Sequence, residues 1–165
     1  MPKLTVARLK EVLDYNPKTG VFTWKVSRGR MRAGSVAGSL NGKGYWRVNL
    51  FGRKYLAHRL AWFYTKGRWP PHGMDHLDGK PRDNRIAKIR PATQAVNLKN
   101  QRRRSDNTSG VVGVCWDKEK LKWRTHIQVD GKSKHLGYFT NKEEAARARK
   151  KAEKKYGFHA NHGRR

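Results

Sequence analysis

The segment from residue 74 to residue 90, MDHLDGKPRDNRIAKIR, combines one histidine, three aspartates, an asparagine and three arginines. Cleavage of a phosphodiester bond needs a base that activates water, positive charge at the phosphate and stabilisation of the leaving oxygen. His76 can act as the base. The Asp75 carboxylate and the amide oxygen of Asn97 can hold a hard divalent cation, which serves the other two needs. The residue types therefore indicate metal-assisted phosphodiester chemistry.

The elements around these residues must bring them together. Neighbouring side chains on a strand face opposite sides, so Asp75 and His76 can cooperate only if the chain bends after them. The turn residues at 77–80 supply such a bend, and a helix predicted over 92–101 carries Asn97. A strand–turn–strand–helix unit would place Asp75 and Asn97 at one metal ion. An Asp-His pair in a basic protein is more often a surface turn, and the residues alone leave that interpretation open.

The charge balance favours a polyanionic partner. The chain has 165 residues, with 39 Lys and Arg against 12 Asp and Glu, and a formal net charge of +27. Self-repulsion at this charge opposes a compact state unless a polyanion is near. We expect nucleic acid, and specifically double-stranded DNA, as the partner. A membrane partner is not expected, because the sequence has no apolar run near 18 residues and no signal-peptide core.

Cysteine usage narrows the type of metal site. Cys115 is the only cysteine, so the chain cannot form an internal disulfide or a cysteine-based zinc site. We therefore expect no zinc, and we expect an intracellular protein.

The first 100 residues show helical and strand-like patterns that alternate. Apolar spacing predicts the helices, and period-two alternation predicts the strands. The predicted elements are a helix over 4–13, a strand over 21–26, a hairpin with its turn at 51–53 and a helix over 57–67. The breakers are Asn16-Pro17, Thr19-Gly20 and Trp69-Pro70-Pro71. Residues 28–44 are rich in Gly and Arg and are predicted as a loop that contains a short strand.

The remainder of the chain has a different pattern. Residues 101–109 are polar and basic, without an apolar side chain, and are predicted as a linker. Three strand-like runs follow at 111–116, 122–130 and 132–139, and then a helix over 141–157 with Asn141 at its cap. The predicted domains are 1–100, the linker 101–109, a second domain over 110–157 and a basic tail over 158–165.

The motif and its surroundings resemble the His-Asn-His (HNH) homing endonucleases of phages. The resemblance rests on the Asp-His pair, the Gly turn, the DNR…R run, the N…N spacing and the preceding segments TGVFTWKVSRG and NGKGYWRVNLFGRKYLAHRLAWFYTKGRWP. It covers about residues 4–104. It implies an α+β fold with a ββα-metal core at about 72–100.

The resemblance also implies roles for the site residues. His76 would be the general base, and Asp75 with Asn97 would hold one Mg²⁺ or Mn²⁺ per active site. Carboxylate and amide oxygens are hard ligands that suit these ions. Arg85 and Arg90 would contact the scissile phosphate or its neighbours. A separate polar contact to DNA would come from Asn100 on the predicted helix.

One position departs from the family pattern. The family usually reads DNRIxNLR, and its central Asn ties the catalytic loop to backbone groups. This chain reads DNRIAKIR, with Lys88 at that place. Lysine donates hydrogen bonds but cannot accept them, and it adds a cation beside the expected metal. We therefore expect a folded protein with weakened or lost cleavage. A non-catalytic DNA-binding protein is the alternative.

The last 55 or so residues resemble the ethylene-response-factor (Apetala-type) DNA-binding domain. The matching pieces are GVxW, KWRTHI, HLGYF and EEAARARKKAEKKYG. The resemblance implies a three-stranded antiparallel sheet with one packed helix, lying in the major groove. Alternation in KWRTHIQV puts Lys122, Arg124, His126 and Gln128 on the exposed face, and Trp123, Thr125, Ile127 and Val129 on the helix side.

Specific DNA contacts are expected from this sheet and from the linker. Arg124 is the candidate for a guanine contact. Further contacts to bases or phosphates are expected from Lys122, Ser133 and His135. The linker residues Arg102, Arg103 and Arg104 are expected to follow phosphates and to be unstructured without DNA.

The combined interpretation is a DNA endonuclease tethered to a sequence reader. A small catalytic unit has little surface for reading sequence, so a tethered domain supplies effective concentration and specificity. We expect a monomer that nicks one strand, leaves 5′-phosphate and 3′-hydroxyl ends, and acts in the cytoplasm of a bacterial host as a phage-encoded protein. RNA binding is a weaker alternative, because the reader face lacks paired exposed aromatic residues.

Overall fold

The structure, a computed structural model, describes residues 3–27 and 29–164. The chain divides into two compact units, Met1–Thr93 and Gln94–Arg165. The prediction placed the division later, in a linker over 101–109. The difference arises because residues around 99–103 bind the C-terminal segment: the Lys99 carbonyl accepts from the His159 N–H at 3.0 Å, and the Gln101 carbonyl accepts from the Gly163 N–H at 2.9 Å.

The first unit is α+β with three small antiparallel sheets. Its elements are α1 (Val6–Val12), β1 (Leu13–Asn16), β2 (Val21–Trp24), β3 (Ser39–Leu40), β4 (Trp46–Leu50), β5 (Arg53–Leu56), α2 (Ala57–Lys66), β6 (Gly73–His76), a 3-10 turn (Ile86–Lys88) and β7 (Ile89–Ala92). The sheets are β1-β2, β3-β4-β5 and β6-β7.

The first helix and strand show where local and tertiary preferences differ. The Thr5 hydroxyl accepts from the Arg8 N–H, as a capping side chain does, and α1 begins after it. The sequence predicted a helix up to residue 13 and breakers at Asn16-Pro17 and Thr19-Gly20, and it gave no prediction of the strand Leu13–Asn16. Asp14 pairs with Thr23 and Asn16 with Val21, so pairing with β2 makes this segment a strand.

The core of the first unit is built from apolar side chains of both its helices and its strands. Leu9 from α1, Leu13 from β1, Phe22 from β2, Val48 from β4 and Leu60 from α2 are all at most 1% exposed. Burial of each such side chain contributes about 1.5–3 kcal/mol. This shared core fixes α2 and the β1-β2 hairpin against one another.

The β1-β2 hairpin also supports the loop between β6 and β7. The Tyr15 hydroxyl donates to the Asn84 carbonyl at 2.8 Å in a buried position. Burial raises the pKa of Tyr15 to about 12, so the hydroxyl stays protonated and remains a donor. Gly20 has φ +76°, and a Cβ there would lie 2.5 Å from the Arg85 backbone nitrogen. The loop backbone therefore rests directly on this glycine.

The second unit is a helix, a sheet and a second helix. Its elements are α3 (Gln94–Leu98), β8 (Val114–Asp117), β9 (Lys122–Val129), β10 (Lys132–Phe139) and α4 (Lys142–Lys155). The sheet is antiparallel in the order β10-β9-β8. Asn141 caps α4 by accepting from the Glu143 N–H at 2.7 Å. Three strands and a packed helix were expected, and the side chains of Thr125, Ile127 and Ala145 are fully buried.

The expected linker and tail are ordered parts of the second unit. Ser109 is buried, and its hydroxyl donates to the Val111 carbonyl at 2.9 Å. His162, expected to be solvated in a frayed tail, is only 3% exposed and packs edge-on against Phe158. The polar composition of these segments did not predict their ordered structure, because many of the contacts that hold them are backbone hydrogen bonds. No helix in the described part of the chain is long and apolar enough to cross a membrane.

Replacing Gly20 with alanine is expected to destabilise the first unit more than the same change at Gly52. Both glycines have φ near +77°, so both variants incur about 1–2 kcal/mol of left-handed strain. A Cβ at Gly52 meets no atom within 4 Å, whereas a Cβ at Gly20 meets the backbone of Asn84 and Arg85. We expect an additional loss of about 1–3 kcal/mol for Gly20→Ala, measured by urea unfolding. Equal losses of stability in the two variants would show that the β1-β2 hairpin does not support the loop between β6 and β7.

Candidate active site

The β6-β7 hairpin positions the Asp-His pair. Asp75 lies opposite Arg90, and His76 lies opposite Ile89, across two antiparallel strands. Both Asp75 and His76 are buried, at 8% and 7% exposure. The expected bend follows at once, because the Gly79 N–H donates to the His76 carbonyl at 2.8 Å. The pair is therefore not an exposed surface turn.

His76 sits in a cluster of rings. The His58 ring lies edge-on to it with 4.9 Å between centroids, and the Tyr45 ring lies at 5.9 Å. Burial lowers the pKa of His76, and contact with the Asn84 side chain and the charge of Asp75 oppose that shift. Because burial is the larger effect, the neutral imidazole is favoured. A general base needs this protonation state.

His58 on α2 is the residue whose importance the sequence did not reveal. A histidine on the apolar face of a predicted helix is expected to be a hydrogen-bonded core residue. The structure buries it to 5% exposure, but its Nδ1 has no hydrogen-bond partner among the described residues. Burial, the charge of His76 and the charge of Arg59 lower the pKa of His58 to about 3. A neutral second histidine therefore packs directly against the candidate base.

The two arginines expected at the phosphate are bound to carboxylates. Arg90 donates from Nε and Nη2 to Oδ2 of Asp75, at 3.2 and 3.0 Å. Arg85 donates from Nε to Oδ1 of Asp83 at 2.8 Å, and this contact holds the pKa of Asp83 below its usual range. The side chains of Arg85 and Arg90 remain 42% and 41% exposed. Both guanidinium groups therefore keep solvent-facing donors for an incoming anion.

Lys88 closes the loop between the two strands. Its Nζ lies 2.9 Å from Oδ2 of Asp78, and its carbonyl accepts from the Leu77 N–H at 2.9 Å. The cation expected beside the metal is thus balanced by a carboxylate. The ion pair is partly exposed and contributes about 0–1 kcal/mol, so its effect is to orient the loop more than to stabilise the fold.

The two residues expected at the metal both carry oxygen donors. Asp75 offers a buried carboxylate, and Oδ1 of Asn97 is a buried oxygen without a hydrogen-bond partner among the described residues. These oxygens are of the kind that Mg²⁺ prefers. Asp75 belongs to the first unit and Asn97 to the second, so their binding to one ion stays a prediction. Within residues 3–27 and 29–164, no three His, Cys, Asp or Glu side chains form a metal-binding group.

The helix that carries Asn97 is shorter than predicted. It spans Gln94–Leu98 instead of 92–101, because Ala92 pairs with Gly73 in the β6-β7 sheet and residues 99–100 form a turn. Asn100, expected as a DNA contact, is 3% exposed, and its Oδ1 accepts from Nη1 of Arg164 at 3.0 Å. Asn100 therefore holds the C-terminal segment in this structure and is not available to DNA.

The sheet of the second unit presents the expected polar face. Gln128 lies opposite Ser133, and His126 lies opposite His135, so these four side chains share one face. The exposed members of this reader face are Lys122, Arg124, Gln128, Ser133 and His135. His126 is half-buried. Its burial and the neighbouring charges of Arg124 and Arg149 lower the pKa of its ring.

The reader face has one member that the alternation did not predict. A bulge between His135 and Gly137 shifts the register, so Tyr138 lies opposite Arg124 on the reader face. Its ring is 4.7 Å from the ring of His135. A glycine within a strand-like run was the available signal of a bulge. The apolar Trp116 would be expected from its residue type to lie in the core, but it is 45% exposed, because β8 is an edge strand.

Arginine side chains of the expected linker make contacts within the protein. Nη1 of Arg103 donates to the Gly110 carbonyl, and Arg104 forms an exposed ion pair with Asp106. The remaining linker arginine, Arg102, is exposed. Their contact with phosphates stays a prediction.

Comparisons with known proteins agree with the site at the hairpin. Residues 55–99 match the family described as HNH endonuclease, and this range includes α2, β6, β7 and α3. The chain is also 33% identical over 76 residues to Protein 3.8 of Escherichia phage T7. That match covers 46% of this chain and 63% of the length of the phage protein. No solved structure matches the chain.

Replacing His58 with phenylalanine is expected to reduce the acid sensitivity of the protein. The folded state holds His58 with a pKa of about 3, below the value of about 6.5 in an unfolded chain. Its contribution to stability is therefore fully present above pH 6.5 and is lost as the pH falls towards 3. Between pH 7 and pH 5 the wild type should lose about 2 kcal/mol more than His58→Phe.

Urea unfolding at the two pH values measures this difference. His72→Gln is the matched control, because His72 is exposed and should leave the pH dependence unchanged. If His58→Phe and the wild type lose the same stability between pH 7 and pH 5, His58 is not held neutral by burial.

Proposed function

We propose that this protein is a metal-dependent DNA endonuclease of the HNH type. The match of residues 55–99 to the HNH endonuclease family carries the proposal, because that range contains the buried Asp75-His76 pair. The formal net charge of +27 supports a polyanionic substrate. The neutral, buried imidazole of His76 supports base catalysis.

The roles of the site residues follow from their chemistry. His76 accepts a proton from the attacking water, and the rings of His58 and Tyr45 orient its imidazole. Asp75 and Asn97 hold one Mg²⁺ or Mn²⁺. This ion supplies charge stabilisation at the phosphate and at the leaving oxygen. Arg85 and Arg90 bind the neighbouring phosphates through their exposed donors.

Because Lys88 stands where the family pattern has asparagine, the proposal includes reduced cleavage. An asparagine at this position would accept a hydrogen bond as well as donate one, and Lys88 only donates. In this proposal the ion pair of Lys88 with Asp78 partly replaces the contacts of the usual asparagine, because the pair also joins two parts of the loop. A non-catalytic protein that binds double-stranded DNA is the second candidate, and Lys88 is the observation that favours it.

The second unit serves as the sequence reader in this proposal. A three-stranded antiparallel sheet with a packed helix is what the sequence resemblance to ethylene-response-factor domains implies, and the exposed face of this sheet is polar and basic. We further propose a homing-type enzyme that acts as a monomer, nicks one strand and works in the cytoplasm of a bacterial host. The similarity to a protein of Escherichia phage T7 supports a phage origin.

A supercoiled-plasmid assay with Mg²⁺, Mn²⁺ or EDTA tests the nuclease. His76→Ala should reduce nicking by about 10²–10⁴-fold, because it removes the general base. His72→Ala is the control, since His72 is an exposed histidine just before the same strand. Lys88→Asn should nick faster than the wild type.

Each outcome of the plasmid assay has a distinct meaning. Nicking by the wild type that matches Lys88→Asn would refute the reduced activity. Nicking that is measurable and equal in the wild type and His76→Ala would refute the role of His76. If every protein shifts DNA in a gel and none cuts it with any metal, the non-catalytic candidate replaces the nuclease.

Arg124→Ala is expected to relax sequence preference by about 1–3 kcal/mol at one base pair, because a bidentate guanine contact is lost. Arg147→Ala is the control, since Arg147 is an exposed arginine on α4. Binding to a randomised duplex library, followed by sequencing, measures the preference. The same base preference in Arg124→Ala and the wild type would exclude direct readout by Arg124.

A further inference from the structure

A basic groove in the first unit lies apart from the Asp-His site. It has a volume of about 430 Å³ and contains three cationic side chains, Arg30, Arg47 and Lys54. Hydroxyl and amide side chains from Ser35, Ser39 and Asn49 also line it. None of its lining residues is an aspartate or a glutamate. We call this surface, defined by these six residues, the β4-β5 groove.

Sheet pairing sets the spacing of the groove's polar side chains. Asn49 lies directly opposite Lys54 across β4 and β5, and Ser39 lies opposite Arg47 across β3 and β4. Directly opposed side chains share one face of a sheet. Val48, which alternates with Arg47 and Asn49, is fully buried on the other face. Arg47 and Lys54 therefore sit on the outer face of a sheet whose inner face is core.

The walls of the groove are preformed by backbone hydrogen bonds. The Trp24 N–H donates to the Ser35 carbonyl at 2.9 Å, and the Ala37 N–H donates to the Phe22 carbonyl at 2.8 Å. The chain then passes so close to β4 that a Cβ on Gly38 would lie 2.5 Å from the Arg47 carbonyl oxygen. Gly38 also has φ +101°, which favours glycine. A preformed groove loses little conformational entropy when it binds.

The cations of the groove differ from those at the Asp-His site. Arg85, Arg90 and Lys88 each bind a carboxylate. Within the described part of the chain, Arg30, Arg47 and Lys54 form no ion pair with a carboxylate. Like charges held close together raise the free energy of the free protein, and a bound polyanion relieves this repulsion.

We propose that the β4-β5 groove binds the phosphodiester backbone of double-stranded DNA, as a contact separate from the active site and from the reader face. Arginine, lysine, serine and asparagine side chains are the usual donors to phosphate oxygens. The exposed Val36 beside them offers an apolar contact for a deoxyribose. Such contacts fix the position of the duplex and read no sequence. This inference rests on the proposed function, because it takes DNA as the substrate.

The salt dependence of DNA binding by the full chain tests the groove. The variant is Arg47→Gln with Lys54→Gln, and EDTA is present to prevent cleavage. Each phosphate contact contributes about −0.9 to the slope of log K against log salt. We expect the slope of the groove variant to be smaller in magnitude by about 2. Its affinity should fall by a similar factor for every duplex sequence.

Matched variants separate the groove from the general charge of the protein. Lys18→Gln with Lys66→Gln removes the same charge from exposed sites elsewhere in the first unit and should leave the slope nearly unchanged. Arg47→Lys keeps the charge and should keep the slope. Thermal unfolding of each variant shows whether the fold is retained, since both groove side chains lie on the outer face of the sheet.

The outcomes distinguish this inference from the proposed function. Equal slopes for the groove variant and the Lys18-Lys66 control would overturn the proposal that the groove binds DNA. The nuclease proposal would be unaffected, because the plasmid assay tests it separately. Loss of slope only with single-stranded DNA or with RNA would overturn the assignment to duplex DNA. A wild type that binds no duplex DNA would overturn both.

Discussion

The burial of His76 against His58 is the contact on which the first unit depends for its chemistry. Two imidazoles pack edge-on with 4.9 Å between ring centroids, and both are nearly removed from solvent. Burial disfavours the charged form of each ring, so the fold requires both to be neutral. The same contact joins α2 to the β6-β7 hairpin. Stability and the protonation state of the candidate base therefore have one origin.

The loop after His76 is held by contacts with the β1-β2 hairpin and by an ion pair of its own residues. The Tyr15 hydroxyl and the close approach of Gly20 support it from the β1-β2 hairpin, and the Lys88-Asp78 ion pair closes it across its own strands. The Lys88 side chain, at the position where the HNH sequence pattern has asparagine, is thus accommodated by charge pairing. The contacts that orient the loop come from the β1-β2 hairpin and from the loop itself.

Much of the fold could be predicted from the sequence. The helices over Ala57–Lys66 and Lys142–Lys155, and the three strands after residue 110, follow from apolar spacing and turn residues. The errors occur where tertiary contacts override local preference. Residues 14–16, for which no strand was predicted, form one by pairing with β2, and the segment expected as a linker is bound by the C-terminal residues.

The sequence by itself determined the residue types of the site, the charge that calls for a polyanion, and the alternation that separates core from surface. These depend on neighbours in the chain, which a single sequence displays. Only the tertiary structure decided that His58 meets His76, that Lys88 meets Asp78, and that Arg47 and Lys54 share a groove without carboxylates. Each of these contacts joins residues from separate elements, and their distances depend on how the shared core packs.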